Sequence, residues 1–128
     1  MDILAALFVE GIGQRQAPGP ATRIDLTGIM FSLAAPGPTP VTVSPHLVVL
    51  IRCRPDETGS GTLEVEFLDE EGKEVARNAQ PVMIQPGKFG RQLVKGELAY
   101  QDYGTIEAHC RVTGGSEVVV PLTLLRPV

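Results

Sequence analysis

The stretch TIEAHCRVT, residues Thr105–Thr113, alternates apolar and polar side chains along its whole length. Side chains of a β-strand point alternately to the two faces of its sheet, so Ile106, Ala108, Cys110 and Val112 share one face. Their polar neighbours lie on the other. A strand with one apolar and one polar face is typical of an antiparallel sheet that covers a core on one side only. This stretch therefore predicts an all-β fold.

Three further segments show the same period of two: Leu47–Arg54, Leu63–Phe67 and Glu117–Leu125. In each of them one parity is apolar, so the side chains of that parity are expected to lie in the core. Cys53 falls on such a face, as Cys110 does. The alternation predicts the following buried set: Leu47, Val49, Ile51, Leu63, Val65, Phe67, Ile106, Ala108, Val112, Val120 and Leu122.

The composition agrees with many short strands joined by turns. The chain has 128 residues, of which 43% are hydrophobic and 20% charged, and it contains 14 Gly and 11 Pro. Turn sequences such as PDETGSG at Pro55–Gly61 separate eight apolar segments of strand length, and no segment keeps a helical period. We predict a single domain over residues 1–128, an antiparallel two-sheet β-sandwich of about eight strands. A small β-barrel is the alternative, because periodicity cannot separate the two.

The first thirty residues are less regular. Ile3–Val9 is predicted as the first strand, and the Gly/Pro-rich segment Gly11–Ala21 is predicted as a loop. Alternation in Thr22–Leu33 changes parity near Gly28, which predicts a β-bulge or a sharp bend there. Gly11–Gly13 lacks a following helix, so it is interpreted as a turn and not as a phosphate-binding loop.

Three segments of the chain, taken in order, resemble a family of small bacterial proteins known as a domain of unknown function. They are the opening strand with its Gly-rich turn, RIDLTGI (Arg23–Ile29) followed by SPHLVVL (Ser44–Leu50), and the ending YGTIEA (Tyr103–Ala108) with GGSEV and PL. The resemblance covers nearly the whole chain and implies an immunoglobulin-like sandwich. It transfers no catalytic residue. A true immunoglobulin domain is a poorer match, because the chain has no Trp and Ala108, not Tyr, stands two residues before Cys110.

No constellation for catalysis is evident. A catalytic triad needs a nucleophile, a histidine and an acid in contact. The only histidines are His46, at a strand entrance, and His109, on the polar face of its strand. TGSG at Thr58–Gly61 lacks the strand and helix of a nucleophile elbow. We therefore expect no enzymatic activity, no catalytic residue and no cofactor.

Metal binding is not indicated either. Neighbouring His109 and Cys110 point to opposite faces and cannot chelate one zinc ion. The acidic turns Asp56–Glu57 and Asp69–Glu71 could offer oxygens to calcium, although turn carboxylates are usually only solvated. The alternative function is that of a ligand-binding sandwich, which holds calcium, a sugar or another small molecule in its end loops. Tyr100 and Tyr103 are the only tyrosines that could serve as a sugar platform.

Partner classes follow from charge and hydropathy. The net charge of −4 gives no basic footprint for nucleic acid, and no apolar run is long enough to span a bilayer. Asp2 and the short apolar run after it do not resemble a secretory signal, and two cysteines fit a reducing compartment, so the cytoplasm is predicted. The cysteines are expected to be reduced, buried thiols.

Two groups of outward-facing side chains are candidates for protein contacts, although charged rows usually form weak pairs on a solvated sheet and the apolar residues could instead be covered by the Pro-rich loops. The first is a row of charges on predicted polar faces: Arg52, Arg54, Glu64, Glu66, Glu107 and Arg111. The second is a set of apolar residues opposite the predicted core faces: Leu4, Phe8, Val48, Leu50, Val119 and Leu125. The function predicted from the sequence is therefore that of a non-enzymatic protein-interaction or accessory module. Its predicted partner is a protein, and a second copy of the chain, forming a homodimer, is one candidate.

Overall fold

The computed structural model describes residues 1–128 and consists of β-strands joined by turns. It contains no helix that is long and apolar enough to cross a membrane. Eight strands have seven or more residues and three have three residues each. The strands are β1 (Asp2–Gln16), β2 (Thr22–Met30), β3 (Ser32–Ala34), β4 (Val41–Val43), β5 (His46–Arg52), β6 (Ser60–Leu68), β7 (Glu74–Met83), β8 (Phe89–Lys95), β9 (Leu98–Tyr100), β10 (Gly104–Val112) and β11 (Val118–Leu125).

The strands form two main sheets, so the fold is a β-sandwich and not a closed barrel. The first sheet has the order β2-β1-β5-β8, and the second has the order β3-β11-β10-β6-β7. A small third sheet pairs β4 with β9. Every pairing is antiparallel except that of β3 with β11, which is parallel. The all-β sandwich predicted from the alternation is confirmed.

One hydrophobic core of 23 buried residues lies between the two main sheets. All eleven side chains in the predicted buried set are part of this core, and Phe67 is only 1% exposed. Cys53 and Cys110 also lie in it, and both thiols are free. The strict alternation was sufficient to predict these positions, because each of their strands keeps one face on the core without interruption.

The first strand changes phase, and this corrects the prediction for Phe8. A register shift between Ile3 and Ala5 forms a β-bulge against β5. Met1 and Ile3 face the core before the bulge, whereas Ala6 and Phe8 face it afterwards. Phe8 is therefore 1% exposed and in the core, not on the outer face as its parity had predicted. An extra residue in one strand moves every later side chain to the opposite face.

The segment predicted as a loop is largely strand. β1 continues from the sandwich through Gln16, and Gly11–Gln16 pairs with Thr22–Thr27 of β2. Gly11–Gly13, interpreted as a turn, thus lies inside a strand, and the turn itself is confined to residues 17–21. β5 pairs with β1 only as far as Val9, so this part of the hairpin has two strands. We call residues 11–27 the hairpin arm.

The arm bends back over the outer face of the first sheet. Arg91 lies on that face, because its pairing partner Leu50 points away from the core, and its Nη2 donates a 2.7 Å hydrogen bond to Gln14 Oε1. A straight β1 would place Gln14 about 30 Å along the strand from Ala5, which pairs with Leu50. That distance is far beyond the reach of the two side chains, so the arm must turn back.

The bend explains why two outward-facing valines are hidden. The ladder of β1 and β2 has no pair between Val9–Ile29 and Gly11–Thr27, and Gly28 at this gap has φ of +63°. Val9 and Val48 are each 1% exposed, although they lie outside the core cluster. Val48, predicted to face outward and to be either covered by a loop or part of an interface, is thus buried on the side of the sheet to which the arm is tied.

Of the two features predicted near Gly28, a β-bulge or a sharp bend, only the bulge is wrong, because the arm bends there. The register between β1 and β2 is the same on both sides of Gly28, where Val9 pairs with Ile29 and Gly11 pairs with Thr27. The pairing therefore contains no bulge there. Instead the chain leaves the first sheet after Met30, and β3 joins the second sheet beside β11. Phe31, at the crossing, is 60% exposed. Leu33, after the crossing, belongs to the other sheet and packs against the core, which explains its reversed parity. Ile29 precedes the crossing and is 49% exposed, so its parity does not mark a core face.

Candidate functional site

The four edge strands of the two sheets differ in how well their backbone is protected. β7 and β8 lie at the edges of different sheets and are joined by side chains. Gln92 Nε2 donates to Pro81 O at 3.0 Å and to Gln80 Oε1 at 3.1 Å, and Gln80 Nε2 donates to Leu93 O at 3.4 Å. Pro81 also removes a donor from β7. These two edges are therefore poor templates for another strand.

The edge strand β3 is protected from pairing because it is very short. β3 has three residues, and the backbone N–H of Ala35 just after it donates to Leu125 O of β11 at 2.9 Å. Pro36 follows immediately. Very short edge strands and prolines are common means by which native sheets avoid pairing with other chains.

β2 is the edge that lacks these protections. It has nine residues and no proline, and it pairs with β1 alone. Ile24 and Leu26 are half-buried on one side of the arm, and the residues between them are exposed. A long edge strand with unpaired N–H and C=O groups is a template for a further strand. We call it the open edge.

Charges on the open edge are incompletely paired. In the register of the arm, Arg23 lies directly opposite Arg15, and Asp25 lies opposite Gly13. Arg15 Nε donates to Asp25 Oδ2 at 2.7 Å, with both side chains more than half exposed. Arg23 has no acidic partner; its Nη1 contacts only the carbonyl of Thr22, at 3.4 Å. The open edge therefore presents an uncompensated guanidinium two residues from a carboxylate.

The charged row predicted from the sequence is divided between the two sheets. Arg54 makes a two-pronged ion pair with Asp2, at 2.7 and 2.9 Å, and Arg52 lies 3.8 Å from the same carboxylate. The pKa of Asp2 is lowered, chiefly by the hydrogen bond from Arg54. The remaining members of the row lie on the outer face of the second sheet, as do Arg77 and Glu117, which had not been included.

On that second face the charges alternate in sign and satisfy one another. Glu66 lies 3.2 Å from Arg77 and 3.9 Å from Arg111. Arg111 is also 3.7 Å from Glu117. Exposed networks of this kind contribute little to stability. Because both signs are interspersed, the face has no strong field of one sign with which to attract a partner.

Neither histidine forms a catalytic arrangement. His109 lies between two carboxylates, with Nδ1 3.0 Å from Glu117 Oε1 and Nε2 3.3 Å from Glu107 Oε1. Both ring nitrogens are thus occupied by acids, and neither contacts a hydroxyl or thiol. His46 Nδ1 is buried without a hydrogen-bond partner beside Val9 and Lys95, its neighbours in the sheet.

A cleft of about 380 Å³ lies between the β6–β7 turn and the β9–β10 loop. Its lining contains one of the two predicted acidic turns, but those carboxylates hold the turn itself. Asp69 Oδ1 accepts from the backbone N–H of Glu71 at 3.0 Å and of Lys73 at 2.9 Å. Glu70 Oε1 accepts from Thr105 N at 2.9 Å.

The two tyrosines beside the cleft have different environments. Tyr100 is buried, and its hydroxyl donates to Leu122 O at 2.6 Å; burial raises its pKa. The ring of Tyr103 lines the cleft and is covered by the guanidinium of Arg126, 5.0 Å from its centre. Tyr100 is thus closed off, and Tyr103 is the tyrosine whose ring borders the cleft, with Arg126 over one of its faces.

The other acidic turn is engaged at the N-terminus. Glu57 accepts a hydrogen bond from the Met1 ammonium and a second from Arg54 N at 2.9 Å. The Met1 ammonium also donates to Thr113 O at 3.1 Å. The first of these contacts is the main cause of a lowered pKa at Glu57. This carboxylate anchors the first strand.

The apolar residues predicted to face outward are only partly exposed and do not form one patch. Leu4 (57%), Val119 (42%) and Leu125 (49%) are exposed, but Leu4 lies on the first sheet and the other two on the second. Sequence reasoning missed Phe89, on the outer face of β8, at 57%. It also missed the open edge, because neighbours in a sheet are not visible in the sequence of one strand.

Comparisons with known proteins show the fold alone. No protein-family model matches the chain, and no curated protein matches it. Among solved structures, the chain is similar to a member of glycosyl hydrolase family 2 from Bacteroides cellulosilyticus, with a TM-score of 0.57 and 19% sequence identity. The match covers 69% of this chain and 14% of that chain, so it concerns a small part of the enzyme. A shared fold does not imply a shared activity.

Proposed function

We propose that the chain is a non-enzymatic protein-interaction module of the bacterial cytoplasm, which binds its partner by adding a strand to the open edge. The observation that carries this proposal is the contrast among the four edges: β2 alone is long, free of proline and uncovered. In strand addition the backbone hydrogen bonds supply affinity, and alternate side chains supply specificity. The two free, buried thiols agree with a reducing compartment.

The side chains of the arm suit this role. Ile24 and Leu26 lie on one side of β2 and are half-buried, so an added strand can cover apolar area on that side. Thr22, Arg23 and Asp25 offer polar contacts. The hydrogen bond from Arg91 to Gln14 holds the arm against the sandwich, so its conformation is set before the partner arrives.

The histidine environments support a role without catalysis. A general base must reach the proton that it removes, and a nucleophile must contact its base. His109 instead contacts Glu107 and Glu117, and His46 Nδ1 is buried without any hydrogen-bond partner. We expect that replacing either histidine with alanine leaves partner binding intact.

The test is comparative affinity purification from the native host with two matched lysine variants. Ile24→Lys puts a charge on the open edge, a substitution by which native sheets block strand addition. Leu125→Lys puts the same charge on an exposed position of the second sheet, away from the open edge. We expect a protein retained by the wild type and by Leu125→Lys but lost with Ile24→Lys. Equal retention by all three chains would contradict the proposal.

The second candidate is a ligand-binding sandwich, and the loop cleft is the observation that favours it. The cleft is large enough for a small molecule or a sugar, and Tyr103 offers an aromatic face. Thermal unfolding with calcium chloride and with a panel of monosaccharides tests this alternative. A saturable rise in Tm that is absent in Tyr103→Ala would support it, and unchanged Tm values throughout would contradict it.

A further inference from the structure

We propose that the open edge pairs with a second copy of itself, so that two chains join β2 to β2 in an antiparallel arrangement about a two-fold axis at Ile24. This proposal rests on the proposed function and names its partner. Antiparallel pairing of identical edges is self-complementary and closes into a dimer. The two copies of the first sheet would then form one continuous sheet.

The charges of the arm specify the register. With the axis at Ile24, Arg23 of each chain lies directly opposite the partner's Asp25, and Thr22 lies opposite the partner's Leu26. Arg23, which within its own chain faces only Arg15 and has no acidic contact, thereby gains a carboxylate. Opposite charges directly across a pair of strands are favourable, whereas like charges are unfavourable.

Other registers of the same symmetry leave Arg23 without a carboxylate, while Asp25 keeps only its contact with Arg15 of its own chain. An axis at Asp25 would place the two Asp25 carboxylates opposite each other. An axis at Leu26 would place Arg23 opposite Ile29 and Asp25 opposite Thr27. Of the three, the axis at Ile24 alone joins each cation to an anion, twice in one interface.

The same register covers exposed apolar groups beyond the paired residues. At the end of the strand, the register brings the partner's Pro20, at the edge of its turn, opposite Gly28 and next to Ile29. Ile29 is 49% exposed in the single chain. Pro20 and Ile29 would therefore contribute apolar area to the dimer.

Charge exchange tests the pairing by sedimentation equilibrium across the micromolar range. We expect the wild type to dimerise and Arg23→Asp to raise the dimer Kd at least about tenfold, because two attractive pairs become two repulsive ones. The double change Arg23→Asp with Asp25→Arg should restore the wild-type Kd. Arg23→Asp does not threaten the fold, since it places a carboxylate opposite Arg15 of the same chain. Lys88→Asp, the same charge change in an exposed turn, is the matched control and should leave the Kd unchanged.

Cysteine cross-linking tests the position of the axis. Ile24→Cys places two thiols opposite each other, about 4.5–5.5 Å apart at Cα, within the range for a disulfide. Leu26→Cys places the two thiols four residues apart along the paired strands, a separation of about 13 Å, which is beyond the range for a disulfide. Under mild oxidation we expect a covalent dimer from Ile24→Cys and none from Leu26→Cys. Cys53 and Cys110 are buried and do not compete.

Three results would overturn the self-pairing. The first is that the wild type stays monomeric and Ile24→Cys does not cross-link. The second is a dimer whose Kd is unchanged by Arg23→Asp. The third is a covalent dimer that forms with Leu26→Cys alone. The first would leave the proposed function standing if Ile24→Lys still lost a different protein in the affinity experiment. If Ile24→Lys abolishes neither the binding of a second copy nor the binding of another protein, both proposals are contradicted.

Discussion

The sandwich body and the hairpin arm are both built from antiparallel strands, yet they are held together by different interactions. In the body, strands alternate strictly and bury 23 residues between two sheets. In the arm, β1 and β2 have only each other as neighbours, and one hydrogen bond from Arg91 ties the arm to the sandwich. Two-stranded hairpins are only marginally stable by themselves. The body therefore supplies the stability of the molecule, and the arm supplies an edge that remains open for pairing.

The largest difference between the two regions is expected in thiol reactivity. Cys53 and Cys110 are fully buried in the body, and burial raises the pKa of Cys110 to about 12. A reagent reaches them only when the body opens, which costs several kcal/mol, so labelling should be at least about a thousandfold slower than that of an exposed thiol. Ala21→Cys, at the exposed tip of the arm, supplies the matched fast thiol. Stopped-flow labelling of the two chains measures the ratio.

Denaturation without reductant completes that experiment. Two equivalents of thiol should then react in the wild type, since both cysteines are free. No reaction after denaturation would mean a disulfide and would contradict the proposed cytoplasmic location. Fast labelling of the folded wild type would contradict the rigidity of the body.

A large-to-small substitution should separate the two regions in stability. Phe67 is 1% exposed and in the core, so Phe67→Ala should lower the free energy of unfolding by about 3–5 kcal/mol through lost burial and a cavity. Ile12→Ala, at a half-buried position of the arm, should lower it by about 1 kcal/mol or less. Urea unfolding at a low, monomeric concentration measures both. Similar losses for the two variants would show that the arm is part of the cooperative core.

The residues that were predictable from the sequence are those whose strands keep one phase. Phe67 and Ile106 were placed correctly, because an unbroken alternation gives the buried face directly. Phe8 was placed on the wrong face, because one bulged residue earlier in β1 reverses the parity, and the bulge depends on pairing with β5. The alternation of apolar residues within one strand does not show where its register with a neighbouring strand shifts.

The arm and its edge could not be predicted for a related reason. Glycine and proline in residues 11–21 are typical of loops, and Ile12, the one large apolar residue among residues 11–16, gives no alternation that would indicate a strand. The openness of β2 is a property of the whole sheet order, which sequence reasoning did not have. Gly28 was the one local signal: it marked the bend that separates the arm from the body, although not its form.

The smallest of the expected effects compares an ion pair in each region and depends on pH. Glu57 accepts a hydrogen bond from the ammonium of Met1, a residue that is 2% exposed, and this contact is the main reason that the pKa of Glu57 falls below its ordinary value of 4.5. Folding therefore favours the carboxylate, and the resulting stability is fully present above pH 4.5 and is lost as the pH falls through the lower, folded pKa. Glu57→Gln should unfold at lower urea than the wild type at pH 7, and the difference should shrink as the pH falls below 4.5. The Arg15–Asp25 pair of the arm is more than half exposed, so Asp25→Asn should change the urea midpoint of the monomer little at any pH. A difference between wild type and Glu57→Gln that does not vary with pH would show that the carboxylate charge does not anchor the first strand.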